Sequence, residues 1–251
     1  MQEHDLSERQ ACKVLNLSRS VFRYQGKKPD DSEIEKELLA LAARKPRWGY
    51  GKMLAYLKRD GHIWNHKRIR RVYCKLHLNL EMEPRKRLPK RIPQPLVQPV
   101  KDNHSWSLDF MSDSLANGRA YRTLNILDDF NREALWIEVD TSLPAERVIR
   151  VLEMLITWRG CPCQIRMDYG PELISHRLEQ WAKERKIALA HIQPEKPAQN
   201  AYIERFDLTF REAVLDAYLF SSINEAREIT EQWLEEYNAI RPHEALQGLS
   251  P

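Results

Sequence analysis

The chain has 251 residues, 42% of them hydrophobic and 30% charged, with a formal net charge of +4. That length holds one domain of about 150 residues and a smaller one; with no run of about 18 apolar residues and no charged-then-apolar signal at the N-terminus, a soluble intracellular protein with no membrane partner is expected. Cys12, Cys74, Cys161 and Cys163 lack the paired spacing of a zinc or redox motif and read as reduced thiols.

The first 80 residues read as helical. In "LSERQACKVLNLSRSVFRY", Ser7 followed three residues later by Gln10 has the form of a capping box, and a second short helix opens at Ser18 or Ser20. Two short helices joined by "NLS" resemble a helix-turn-helix, a pairing that purely structural bundles share. Three more helices are marked by Ile34, Leu38, Leu39 and Leu41, by Met53, Leu54 and Leu57, and by Ile69, Val72, Tyr73 and Leu76. Asn65 is placed to N-cap the last of them, "HKRIRRVY", a basic helix where a recognition helix would sit.

Pro84, Pro89, Pro93, Pro95 and Pro99 rule out a continuous helix or central strand between Glu81 and Asn103. From Lys67 to Lys101 there are eleven Lys or Arg, among them Lys67, Arg68, Arg70, Arg71, Arg85, Lys86, Arg87, Lys90 and Arg91, against Glu81 and Glu83 alone. Such an excess suits a polyanion, because each cation beside a phosphate releases condensed counterions. Nucleic acid is the expected partner, ahead of a solvated linker with incidental charge, and the helix-turn-helix-like region favours duplex DNA. The expected division is a helical, helix-turn-helix-like DNA-binding region over 1–80, a basic proline-rich linker over 81–103 and a second domain over 104–251.

Beyond the linker the period changes. "SWSLDFMSD", "RAYRTLNILDDF" and "EALWIEVDTS" suggest an antiparallel meander, "PAERVIRVLEMLITWRG" a helix, "CQIRMD" a strand, "LISHRLEQWAKERK" a helix and "IALAHI" a strand. Residues 199–218 read as one helix, with another near 224–237. The order βββαβαβα is an α/β fold with a mixed five-stranded sheet. Trp106, Trp136, Trp158 and Trp181 are expected in its core, and Trp48 and Tyr50 in packing.

Three carboxylates fall at comparable places. Asp109 lies inside the first strand, Asp168 closes the fourth and Glu204 lies near the start of the helix after the fifth, with 35 residues between the last two. An acid flanked by apolar residues in a sheet is costly to bury unless it is paired or binds a metal. Converging carboxylates suit hard cations such as Mg²⁺ or Mn²⁺. Two such ions about 3.5 to 4 Å apart suit in-line displacement at a phosphodiester.

The stretches "WSLDF", "MDYGPELIS" and "IQPEKPAQNAYIERF" resemble the D, D, E signature of retroviral-integrase-like transposases of bacterial insertion sequences. "RWGYGKMLAYLKRDGHIWNHKRIRRVY" is similar to the segment before the catalytic domain in their two-reading-frame family, and "EYNAIRPHEALQGLSP" to its C-terminal motif. The resemblance implies a ribonuclease-H-like integrase core, Asp109, Asp168 and Glu204 as catalytic metal ligands, and Mg²⁺ or Mn²⁺ as a pair of ions. It further implies DNA cleavage and strand transfer at element ends, a homo-oligomer on DNA, a cytoplasmic, nucleoid-associated location and an upstream-frame protein partner. The absence of an evident leucine zipper gives the expectation of a downstream-frame product alone.

Where the family commonly has Asn, Gly and Asn, this chain has Tyr169, Glu195 and Asp207. These departures keep open a DNA-binding derivative with a decayed catalytic site. A ribonuclease-H-like nuclease acting on RNA–DNA hybrids is a further alternative. Lys196 reads as a phosphate contact and Asn200 as a loop holder or DNA contact. Glu172 reads as a helix cap, and Asp113, Asp128 and Asp129 as turn and strand-end groups. Arg241 and His243 in "RPHEAL" are left between DNA contact and tethering of the tail.

Overall fold

The computed structural model describes residues 7–24, 30–80, 99–168, 170, 173–192 and 200–251. Arg85, Lys86, Arg87, Lys90, Arg91, Tyr169, Glu172, Glu195 and Lys196 lie outside the described residues, as does most of the expected linker.

Local chemistry starts the N-terminal helices where expected. Ser7 caps α1 (Glu8–Val14) and the Gln10 side chain accepts from the Ser7 N–H at 3.0 Å, completing the capping box. The Ser18 hydroxyl accepts from the Val21 N–H and opens α2 (Arg19–Phe22). Next come α3 (Ser32–Arg44), α4 (Tyr50–Arg59) and α5 (His66–Lys75). The Asn65 side chain accepts from the Lys67 N–H at 2.9 Å at the start of α5. Helices α3 to α5 bury Ile34, Leu38, Leu41, Trp48, Met53, Leu57, Ile69, Val72 and Tyr73 in a core of their own. Leu39 departs from expectation and is half exposed, because a three-helix unit this small covers only one stripe of α3.

The larger domain is a five-stranded sheet ordered β3-β2-β1-β4-β5. Strands β1 (Ser105–Ser114), β2 (Ala120–Asp128) and β3 (Ala134–Asp140) form an antiparallel meander. Strands β4 (Gln164–Met167) and β5 (Ala188–His191) extend it in parallel from β1, each entered through a crossover helix, α6 (Ala145–Arg159) and α7 (His176–Arg185). One face packs Trp106, Leu108, Leu124, Ile126, Ile165 and Met167 under α6 and α7. The other packs Met111, Tyr121, Leu127, Ile137 and Val139 under α8 (Ala201–Phe210) and α9 (Ile223–Ala239). Period-two alternation along β1 thus divides its side chains between two cores.

Two expectations for the larger domain fail. Trp158 is 63% exposed, since it stands near the end of α6 with its ring edge toward Trp136. The single helix expected over 199–218 is α8 followed by a π-helical segment, Arg211–Leu215, which rewinds the chain so that Val214 and Leu215 still meet the second core.

Candidate active site

The parallel ladder places the first pair of acids. Ser105 lies opposite Gln164, Trp106 opposite Ile165 and Ser107 opposite Arg166. Continued two residues further, the same register sets Asp109 beside Asp168 on the same sheet face. Asp109 is half-buried and its Oδ1 accepts from the Phe110 N–H at 2.7 Å. Asp168 is exposed just beyond β4, and its Oδ1 accepts from the Gly170 N–H at 3.0 Å. It therefore does open a turn, as its sequence neighbours suggest.

Helix α8 lies over that face of β1 and β2 and carries Glu204 in its first turn. Burial, and then the charge of Asp109, hold Glu204 above the usual carboxylate range. Asp109 is also raised, by burial first and with a contribution from Asp168. The three acids are thus electrical neighbours whose charges oppose one another. Among the described residues no three His, Cys, Asp or Glu stand close enough together to hold a metal ion. The donor set is nevertheless all hard oxygen, and a divalent cation is the species that relieves this repulsion.

One turn along α8, Asp207 is 7% exposed. It faces Asn125, whose Nδ2 donates to its Oδ1 at 2.6 Å, and Asn125 lies directly opposite Asp109 across the β1–β2 ladder. Burial, and then the neighbouring Asp109 carboxylate, push the Asp207 carboxyl up to about 8, and its Oδ2 is buried without a hydrogen-bond partner among the described residues.

A second buried network braces the strands beneath the acids. Asp129 is fully buried, accepts from the Ser105 and Ser107 hydroxyls at 2.8 and 2.6 Å, and pairs with Arg166 at 3.1 Å. It ties β1 to β4 two residues short of Asp109 and Asp168. Asp128 accepts from the Asn103 and Phe130 N–H groups, both at 2.8 Å, a turn role as expected.

The sites expected to meet DNA are spread out. On α5, Lys67 and Arg70 are exposed, Arg70 lying over the Tyr50 ring at 5.8 Å. Arg68 and Arg71 instead pair with Asp31 at 2.8 and 2.6 Å, so part of the basic face is already neutralised by the start of α3. Asn200 precedes α8, 5% exposed, and its Oδ1 is buried without a partner among the described residues. The roles of Asp207, Asn125 and Asp129 escape reading from the sequence. A polar residue inside the apolar run "LNIL" was the available sign for Asn125.

Comparison with known proteins identifies the domains and the family. Integrase core domain models match residues 99–197 and 185–251, and an HTH-like domain model matches residues 29–87. The insertion element IS407 31.7 kDa protein of Burkholderia multivorans is 38% identical over 98% of this chain and 90% of its own length. The insertion element IS476 39.2 kDa protein of Xanthomonas euvesicatoria is 36% identical over 100% of this chain and 73% of its own. The putative transposase InsK for insertion sequence element IS150 of Escherichia coli is 24% identical, covering 95% of this chain and 90% of the relative. Among solved structures, a chain of the simian T-cell lymphotropic virus intasome in complex with PP2A regulatory subunit B56 gamma aligns with a TM-score of 0.50 at 16% identity. That alignment covers 81% of this chain and 69% of that one, a likeness of fold.

Proposed function

Because the chain belongs to the retroviral-integrase-like transposases of bacterial insertion sequences, we propose that Asp109, Asp168 and Glu204 are the acids that carry its DNA cleavage and strand transfer. It is a polynucleotidyl transferase with an integrase core and an HTH-like domain. The observation that supports the triad is that β1, the end of β4 and the first turn of α8 bring Asp109, Asp168 and Glu204 to one face of the sheet, with the charge of Asp109 felt by Glu204 and that of Asp168 felt by Asp109.

Asp109, Asp168 and Glu204 would hold a pair of divalent ions, Mg²⁺ or Mn²⁺, which when bound supply charge stabilisation for an attacking and a leaving oxygen. The protein's own part is placement. The Asp129–Arg166 network fixes β1 against β4, and the Asn125–Asp207 hydrogen bond ties β2 to α8 beside Asp109. Glu204 sits where the partial positive charge of a helix N-terminus favours an anion. Water is the nucleophile in strand cleavage and a DNA 3′-hydroxyl in strand transfer. Lys67 and Arg70, with Arg68 and Arg71 once released from Asp31, contact backbone phosphates, joined by Arg85, Lys86, Arg87, Lys90, Arg91, Lys196 and Asn200. An assembled homo-oligomer on DNA, together with an upstream-frame partner, completes this reading.

The experiment is cleavage of a labelled duplex carrying the element end, with Mg²⁺ or Mn²⁺, by the chain and its Glu204→Gln variant. Metal-dependent nicking lost in the variant supports the assignment. Nicking retained by Glu204→Gln removes Glu204 from the triad.

A further inference from the structure

The Asn125–Asp207 hydrogen bond stands in an apolar setting. Asn125 is fully buried and Asp207 nearly so, on the sheet face where Ile203, Phe206 and Phe210 seat α8 in the second core. Each keeps one oxygen, Asn125 Oδ1 and Asp207 Oδ2, buried without a hydrogen-bond partner among the described residues. Such a pair costs stability, since an apolar pair of like shape would leave nothing unsatisfied. Its use therefore lies in what it places.

The pair joins two parts of the acid cleft. Asn125 lies directly opposite Asp109 in the β1–β2 ladder, so the two side chains share a face. The Asn125 Nδ2 donates to Asp207 Oδ1 at 2.6 Å. Asp207 follows Glu204 by three residues on α8, on the same flank and about 4.5 Å along the axis. The strand pair that carries Asp109 is thus fastened to the helix that carries Glu204, one turn away from the acid itself.

Apolar packing does not supply this placement. The contacts of Ile203, Phe206 and Phe210 are non-directional, and a small slide of α8 along its axis would leave all three buried. A metal site tolerates far less, because its ligands must be held within about 0.5 Å of their working positions. A short hydrogen bond between two buried side chains, each with a short stem, is directional enough to hold the helix to that tolerance. The far end of α8 is fastened separately, where the Arg211 guanidinium donates to the Ser112 carbonyl at 3.2 Å from the π-helical segment.

We propose that Asn125 is a positioning residue for strand cleavage and transfer: through Asp207 it sets the reach of Glu204 toward Asp109, and with it the affinity of the cleft for divalent ions. This rests on the assignment of Asp109, Asp168 and Glu204 as the metal ligands.

The test is Mn²⁺ titration of the full chain, followed by the paramagnetic resonance of the free ion, with element-end nicking, thermal melting and amide hydrogen exchange of α8 in parallel. Asn125→Val should lower Mn²⁺ affinity by about 10- to 100-fold, the usual effect of removing a group that orients a metal ligand. Asp207→Asn keeps an acceptor for the Asn125 Nδ2 and should bind Mn²⁺ close to the parent. Asn125→Val/Asp207→Leu removes both polar partners, so it should melt at or above the parent and yet keep the weak Mn²⁺ binding and a faster exchange in α8. A double variant that binds Mn²⁺ and nicks like the parent, or an Asn125→Val variant with unchanged affinity, would show that the pair only packs and would overturn the proposal. Loss of affinity in Asp207→Asn equal to that in Asn125→Val would overturn it too. Parent-like Mn²⁺ binding by Glu204→Gln would instead remove the triad reading, while faster α8 exchange in Asn125→Val would leave the tie between β2 and α8 standing.

Discussion

Removing the Asp129 carboxylate tests whether the strands under the acids are braced as the structure has them. In Asp129→Ala the Arg166 guanidinium, 14% exposed by its side chain, is left without its carboxylate, and the Ser105 and Ser107 hydroxyls lose their acceptor. Breaking a buried ion pair by deleting one partner costs about 3 to 5 kcal/mol. Hydrogen bonds to a charged acceptor are worth about 1.5 to 3 kcal/mol each, but those losses overlap with the pair because one carboxylate makes all three contacts. The expected destabilisation is therefore about 4 kcal/mol. Asp129→Asn keeps the shape and one acceptor, and should cost about half as much. Urea unfolding followed by tryptophan fluorescence reads both values. A loss below about 1 kcal/mol in Asp129→Ala, against the cost of an uncompensated buried charge, would refute the brace. A stable variant with unaltered strand cleavage would also show that it does not set the spacing of Asp109 and Asp168.

Asp109→Asn, Asp168→Asn and Glu204→Gln should each abolish strand cleavage and leave duplex binding largely intact, as read by gel nicking and anisotropy in parallel. Retained cleavage in any one removes that residue from the triad. Because His243 is held neutral down to about 4 against an ordinary 6.5, its folded form resists a proton that the unfolded chain accepts. Its contribution is present above the ordinary value and is lost as pH falls through about 4, some 2 to 3 kcal/mol over that window. His243→Gln should flatten this acid limb in urea midpoints measured between about pH 7 and pH 4, and equal acid loss in parent and variant would contradict the assignment. Truncation before Asn103 should weaken DNA binding and flatten its salt dependence, with unchanged slopes showing that the helical region and linker do not touch phosphate.

Local chemistry was legible in the sequence. Ser7 with Gln10, Ser18 and Asn65 each act within three residues, so their caps can be read from spacing alone. The sheet was legible too, because alternation along "SWSLDFMSD" and the apolar run "CQIRMD" specify strands whichever neighbours they find. Asp109 stood out through the cost of an acid in a sheet. What pairs it with Asp168 is a register between strands 59 residues apart in the chain, which the ladder alone reveals. Asn125 and Asp207 meet across 82 residues, and the Asp129–Arg166 brace joins two strands with a helix between them. Trp158 misleads because its helix is amphipathic only until its last turn, and its ring lies past the edge of the core.

The most direct test of the central claim is the anomalous signal of crystals of the chain grown with Mn²⁺. Manganese between the Asp109 and Asp168 carboxylates, with Glu204 closing the site, is the predicted result. Crystals with manganese bound elsewhere, or with the three acids as far apart in its presence as in its absence, would contradict it.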